Sequence, residues 1–143
     1  MIVAEGATAA ALHDRISPIA QLALAADSLG GASAALAVTI EYLKTRRQFD
    51  RPLAMFQALK HRCADLKIAL EVAEALLWQR ATGPDASITD LGALKAHAAE
   101  VYRATVEEMI QLHGGIGLTD EHACHRFMKR AMLNLQLCGS TDH

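Results

Sequence analysis

This 143-residue sequence predicts an all-α fold, an antiparallel four-helix bundle, and three observations carry that expectation. Alanine and leucine, both strong helix formers, dominate a chain that is 52% hydrophobic and only 4% aromatic. Apolar residues recur at helical spacing over three long segments. The breaks between segments are short and rich in helix-ending residues: Arg46–Pro52, Thr82-Gly83-Pro84 and His113-Gly114-Gly115. With loops this short, sequential helices become antiparallel neighbours around one core.

Residues 1–14 have no clear apolar face and read as an extended lead-in. The first helix is expected to start near Asp14 or Ser17, with Ser17 as N-cap and Pro18 in the first helical position, and to run to about Arg46. Its stripe reads Ile19, Leu22, Ala23, Ala26, Leu29, Gly30, Ser33, Ala37, Ile40 and Leu43. Gly30 and Gly31 in its middle favour close helix packing. The second helix should begin near Pro52 or Leu53, capped by Asp50, with Phe56, Leu59, Cys63, Leu66, Leu70, Ala73 and Leu77 as its face. Ser87 caps the third helix, and Asp90 lies in its first turn near the positive helix end. That helix carries Leu91, Leu94, Ala98, Val101, Thr105, Met109 and Leu112, and a left-handed glycine ends it after His113. Thr119 is the expected cap of a shorter fourth helix, with Asp120 and Glu121 in its first turn and Phe127, Ala131 and Leu135 on its face.

Composition excludes several function classes. A net charge of −2 supplies no basic face for nucleic acid. No apolar run is read as approaching a membrane span, and the N-terminus lacks the regions of a signal peptide. Cys63, Cys124 and Cys138 form an odd, widely spaced set, which reads as reduced and cytoplasmic.

Most candidate constellations yield to plainer readings. Glu121, His122, Cys124 and His125 are ligand types within one turn, but without an HExxH or paired CxxC a solvated helix start is favoured and no metal is expected. Cys63 falls on an apolar stripe. Cys138 sits near a helix C-terminus, which does not activate a thiol. Glu71, Glu74, Glu100, Glu107 and Glu108 lie on long helices beside basic residues and read as solvated faces. Two stretches remain. Tyr42–Pro52 gathers Arg46, Arg47, Gln48 and Phe49 at a helix end, either a solvated connection or an anion site. Gln111–Gly117 is either a plain C-cap or a surface where backbone approaches a ligand.

Taken together, these stretches resemble the acyl-CoA dehydrogenases. Arg46-Arg47-Gln48-Phe49-Asp50-Arg51-Pro52-Leu53 with Phe56-Gln57 resembles their R-x-Q-F-G-x-P-[IL]-x-x-F-Q segment. Gln111-Leu112-His113-Gly114-Gly115-Ile116-Gly117-Leu118 resembles Q-L-H-G-G-x-G-[YF], and His61–Leu66 resembles H-[KR]-x-A-D-[ML]. The resemblance covers the C-terminal helical domain only, here residues 15–143, with residues 1–14 as the lead-in from a β-domain that is not in the chain.

The resemblance implies a flavoprotein that carries out α,β-dehydrogenation of acyl-CoA thioesters with FAD in a homo- or hetero-oligomer. Arg46 would bind the FAD pyrophosphate, as suits a guanidinium fork. Phe49 would pack by the flavin nucleotide, Gln48 or Gln57 would hydrogen-bond nearby, and Gln111 with the backbone of Gly114 and Gly115 would meet the adenosine part across a dimer interface. The family's catalytic glutamate is another matter. Its two usual positions fall on Cys138 and Ala20, and neither a largely protonated thiol nor a methyl group can replace it. The chain alone is therefore expected not to be catalytic. Asp50 also replaces the family's glycine. A rival reading is a helical assembly module that binds no flavin.

Overall fold

A computed structural model describes residues 5–83, 86–119 and 122–138. Its elements are α1 (Gly6–Thr45), the two-residue strands β1 (Arg47–Gln48) and β2 (Arg51–Pro52), α2 (Gln57–Thr82), α3 (Ile88–His113) and α4 (Cys124–Gln136). Single 3-10 turns, Leu53–Met55 and Gly114–Leu118, lead into α2 and out of α3.

Helix direction follows from three contacts between α1 and α3. Gln21 faces Gly92, Gly31 faces Tyr102, and Tyr42 meets His113, with a constant offset of 71 residues. The two helices are therefore parallel and in register. α2 runs against α3, since Arg62 pairs with Glu108 at one end and Arg80 with Asp90 at the other. α4 runs against both, because Lys95 Nζ donates to the carbonyl of Leu135 at 3.2 Å while His122 meets His113 at the far end. Arg130 forks onto Asp27 at 2.8 and 2.9 Å, and Asn134 Nδ2 donates to the same carboxylate at 2.7 Å and to Ser28 Oγ at 3.0 Å. The result is the expected antiparallel bundle.

α3 forms as its sequence dictates. Ser87 Oγ accepts from the Asp90 N–H, the Asp90 carboxylate accepts from the Ser87 N–H, and the two close a capping box. All seven of its expected core positions are buried, and Gly114 ends it at φ +63°, but with ψ −141° it takes a glycine-only conformation rather than the expected left-handed helical one.

Several expectations need correction. α1 begins at Gly6, so residues 6–14 are helical rather than extended, Ser17 caps nothing, and Pro18 lies inside the helix. Ala7, Ala9, Ala10, Ala11 and Leu12 are strong helix formers and carry the extra turns, and the missing Pro18 N–H removes only one backbone bond. The buried stripe of α1 is Ala25, Ser28, Leu29, Ala32, Ala35, Leu36, Thr39 and Leu43, rotated from the expected one. Apolar residues surround this helix, so spacing alone does not choose a face. α1 is also long and apolar enough to cross a membrane by length and composition, contrary to the sequence reading; the central helix of a bundle meets the same criterion. Asp50 caps no helix, because the chain first makes a hairpin and α2 starts only at Gln57, after Phe56. Thr119 does not start α4: its hydroxyl donates to the Ile116 carbonyl at 2.8 Å, and α4 begins at Cys124. Asp120, Glu121 and the segment after Cys138 lie outside the described residues.

The hairpin pairs Arg47 with Pro52 and Gln48 with Arg51. Its two-residue tip, Phe49 and Asp50, has φ of +52° and +61°, as a type I′ turn requires. Neither residue is a glycine, so both carry left-handed strain. Asp50→Gly should therefore stabilise the chain by about 0.5–1 kcal/mol, read as a higher urea midpoint at unchanged slope.

Candidate functional site

The two motif stretches lie at the same end of the bundle. Because α1 and α3 run parallel and in register, their C-termini emerge side by side. Tyr42 joins them: its ring stacks on His113 with centroids 4.2 Å apart, and its hydroxyl donates to the His113 carbonyl at 3.3 Å.

On the α1 side, Leu53 N–H donates to the Arg46 carbonyl at 2.8 Å and folds the hairpin back. Arg47 donates to the Asp50 carbonyl at 2.6 Å, and the Arg51 guanidinium covers the Phe56 ring at 4.0 Å. Arg46 differs from both. It is exposed, and its guanidinium has no partner among the described residues. Phe49 is 84% exposed at the strained tip, touching only Phe56 edge-on at 6.1 Å among described rings. Gln48 and Gln57 are exposed on either side.

On the α3 side, Gln111 is exposed in the last turn. The Gly114 N–H bonds back to the carbonyls of Ile110 and Gln111, so it caps the helix and is not offered to a ligand. What Gly114 and Gly115 do offer is bare surface: a Cβ on either would meet nothing within 4 Å. An anionic, planar dinucleotide fits this arrangement, with a guanidinium fork unpaired among the described residues, an exposed ring and a side-chain-free backbone at one end of the bundle.

The positions of the family's base lie elsewhere. Ala20 sits in α1 beside Gln21, which faces Gly92, and Cys138 follows α4 at the level of Leu135, which meets Lys95. Both belong to the N-terminal end of α3. Ala20 and Arg46 are about 39 Å apart along the helix axis. Cys138 is exposed, at φ +53°. Glu71 pairs with Lys67, and Glu100 and Glu107 pair with Arg103, on open helix faces, whereas Glu108, 22% exposed, pairs with Arg62 in a half-buried contact rather than on the solvated face expected. Cys63 is half-buried rather than core.

The group of His122 and Cys124 weighed from the sequence gains a member that spacing did not reveal, His113. His113, the residue inside the glycine motif, meets His122 with ring centroids 4.5 Å apart, and His122 Nδ1 lies 3.0 Å from Cys124 Sγ. His125, grouped with these by spacing, turns away to the His122 carbonyl at 2.7 Å. Burial pushes the His113 imidazole towards its neutral form and the Cys124 thiol upward. The turn between α3 and α4 makes this contact, and helical periodicity does not describe turns.

Comparison with known proteins agrees with the geometry. The family model described as "Acyl-CoA dehydrogenase, C-terminal domain" matches residues 19–142. The acyl-CoA dehydrogenase IpdE2 of Mycobacterium tuberculosis is 41% identical over 125 residues, 87% of this chain and 39% of that protein. The butyryl-CoA dehydrogenase structure from Megasphaera elsdenii superposes with a TM-score of 0.82 at 30% identity, over 90% of this chain and 35% of that one. The ChsE4-ChsE5 complex from M. tuberculosis gives a TM-score of 0.72 at 30% identity, over 87% of this chain and 35% of that one. This chain thus spans about two-fifths of the length of the curated IpdE2 relatives it matches. With the family model covering nearly the whole chain, this protein belongs to the acyl-CoA dehydrogenase family, as a counterpart of its C-terminal domain.

Proposed function

We propose that this chain completes the FAD site of an acyl-CoA dehydrogenase-like assembly and helps to build its oligomer interface, without supplying the catalytic base. The observation that carries the reading is that the Arg46 guanidinium, without a partner among the described residues, and the bare Gly114–Gly115 surface lie at one bundle end. When bound, FAD supplies the hydride acceptor for α,β-dehydrogenation of an acyl-CoA thioester. Arg46 neutralises and orients the pyrophosphate, Phe49 covers the nucleotide, Gln48 or Gln57 hydrogen-bonds beside it, and Gln111 with Gly114 and Gly115 receives the adenosine part.

The base must come from another chain or domain, because Cys138 and Ala20 hold no carboxylate. Their distance from Arg46 supports a division in which the two bundle ends face different flavins. Two features favour partners. Leu12, Ile16 and Ile19 leave an exposed apolar stripe on α1, and Ile68, Val72 and Trp78 are exposed on α2. The stripe near the start of α1 suits cover by a β-domain of the assembly, and ChsE4-ChsE5 offers a two-component precedent. A cytoplasmic assembly suits three free cysteines.

The test is to assay the chain alone and co-expressed with dehydrogenase-like subunits, with FAD, an electron acceptor and a panel of acyl-CoA esters. The chain alone should give no steady turnover, while the assembly should retain flavin. Turnover by the isolated chain would refute the missing base, and a flavin-free assembly would favour the purely architectural module.

A further inference from the structure

We propose that His113, His122 and Cys124 bind a single zinc-class divalent cation that clasps the end of α3 to the start of α4 beside the Gly114–Leu118 turn. The three ligand atoms already lie within 4.8 Å of one another. They come from opposite sides of the turn, so an ion there would cross-link two helices.

Each donor is prepared for a metal. His113 Nδ1 lies 2.7 Å from the Met109 carbonyl, and because a carbonyl only accepts, Nδ1 must carry the proton. Nε2 then holds a lone pair. It is buried, in a residue only 3% exposed, and has no hydrogen-bond partner among the described residues. A histidine held by a backbone carbonyl through one nitrogen and left open at the other is the usual preparation of an imidazole ligand. The Cys124 N–H donates to His122 Nδ1 at 3.4 Å and the thiol lies 3.0 Å from the same atom, so the Nδ1 lone pair sits beside the sulfur, and a metal would replace this long local hydrogen bond. Cys124 itself is fully buried.

Two imidazoles and a thiolate suit a borderline-soft cation, zinc in particular, and exclude the oxygen-seeking magnesium and calcium. With bonds of about 2.0 Å to nitrogen and 2.3 Å to sulfur in a tetrahedral site, the Nδ1 to Sγ separation would open by about half an ångström. His122 is half-buried, and water would take the fourth position. On binding, the Cys124 S–H bond breaks, its proton passes to buffer and the sulfur-metal bond forms, with no change in oxidation state. The plainer alternative is a thiol-imidazole hydrogen bond with a buried water on His113 Nε2.

Cobalt(II) is the probe. Titrated into the full, tag-free chain with a non-thiol reductant present, it should saturate at one ion per chain and develop a thiolate-to-cobalt charge-transfer band with the visible bands of a tetrahedral site. Zinc should displace it and raise Tm. Cys124→Ser should abolish the band, and His122→Gln should weaken binding about tenfold or more. Cys63→Ser and Cys138→Ser should leave it intact. Far-UV circular dichroism of Cys124→Ser should match the parent, so loss of the band cannot be ascribed to unfolding. No band at saturating cobalt, or a band that survives in Cys124→Ser, overturns the proposal in favour of the water-filled alternative.

Discussion

Gly31→Ala should destabilise the bundle by about 2 kcal/mol, while the neighbouring Gly30→Ala should stabilise it by up to about 1 kcal/mol. The opposite signs follow from what each Cβ would meet. At Gly31 it would overlap Tyr102 Cζ and lie 2.7 Å from Oη and 2.8 Å from Cε1. These are atoms of a rigid ring, not the end of a flexible chain. Tyr102 is 1% exposed, and Ala35, Ala98 and Val106 of the same core are fully buried, so relief would require the ring to shift towards the cavity it lines with Val38, Phe127 and Arg130. Overpacking of this kind costs about 1–3 kcal/mol, offset in part by the better helix propensity of alanine. At Gly30 nothing lies within 4 Å, and only the propensity gain remains. Urea denaturation of both variants decides the matter. Adding Tyr102→Leu to Gly31→Ala should recover much of the loss relative to the sum of the single changes, since the clash disappears with the ring. Equal effects at the two glycines would mean that α1 and α3 are not packed through Gly31.

That pair also illustrates what the sequence could and could not reveal. Two glycines in mid-helix announce a close approach, but only the structure tells which one is approached. The apolar stripe of α3 was legible, because its polar residues leave one apolar face and both of its ends carry local signals in Ser87, Asp90 and Gly114, although buried Lys95, Tyr102 and His113 were not expected in its core. α1 was not. Alanine, leucine and valine surround it, so the expected stripe placed Ile19, exposed by 71%, in the core and passed over Ser28 and Thr39. Both are buried because their hydroxyls donate to carbonyls four residues back, at 2.8 Å, which makes a polar residue acceptable inside. The hairpin tip escaped notice for the opposite reason. A type I′ turn ordinarily announces itself with glycine or asparagine, and here phenylalanine and aspartate adopt it.

The candidate site was legible only as a resemblance. Composition and spacing could not choose between a helix connection and an anion site at Tyr42–Pro52. The folded chain adds a physical discriminator, since Arg47 and Arg51 are committed within the hairpin while Arg46 is not. Strain at Phe49 belongs to the same argument: an aromatic residue in the left-handed region, held out to solvent, is a local sacrifice of stability that a ligand or partner contact would explain.

Arg46→Ala should strip flavin from the assembly while leaving the fold of this chain intact. A guanidinium making charge-assisted hydrogen bonds to a pyrophosphate contributes about 1.5–3 kcal/mol, so FAD should bind roughly 10- to 150-fold more weakly without it. The same change should move chain stability by no more than about 0.5 kcal/mol, because Arg46 is exposed and makes no ion pair among the described residues. Arg46→Lys keeps the charge but not the fork, so it should fall between the two, with a steeper loss of flavin as salt is raised. Arg47→Ala is the internal control. Its guanidinium closes the hairpin onto the Asp50 carbonyl, so it should loosen the turn and lower the urea midpoint more than Arg46→Ala does. The measurement is flavin absorbance per chain after gel filtration of the co-expressed assembly, with FAD titration of the stripped material. Unchanged flavin content in both Arg46→Ala and Gln111→Ala would remove this end of the bundle from the cofactor site, leaving Arg46 a solvated charge at a helix end.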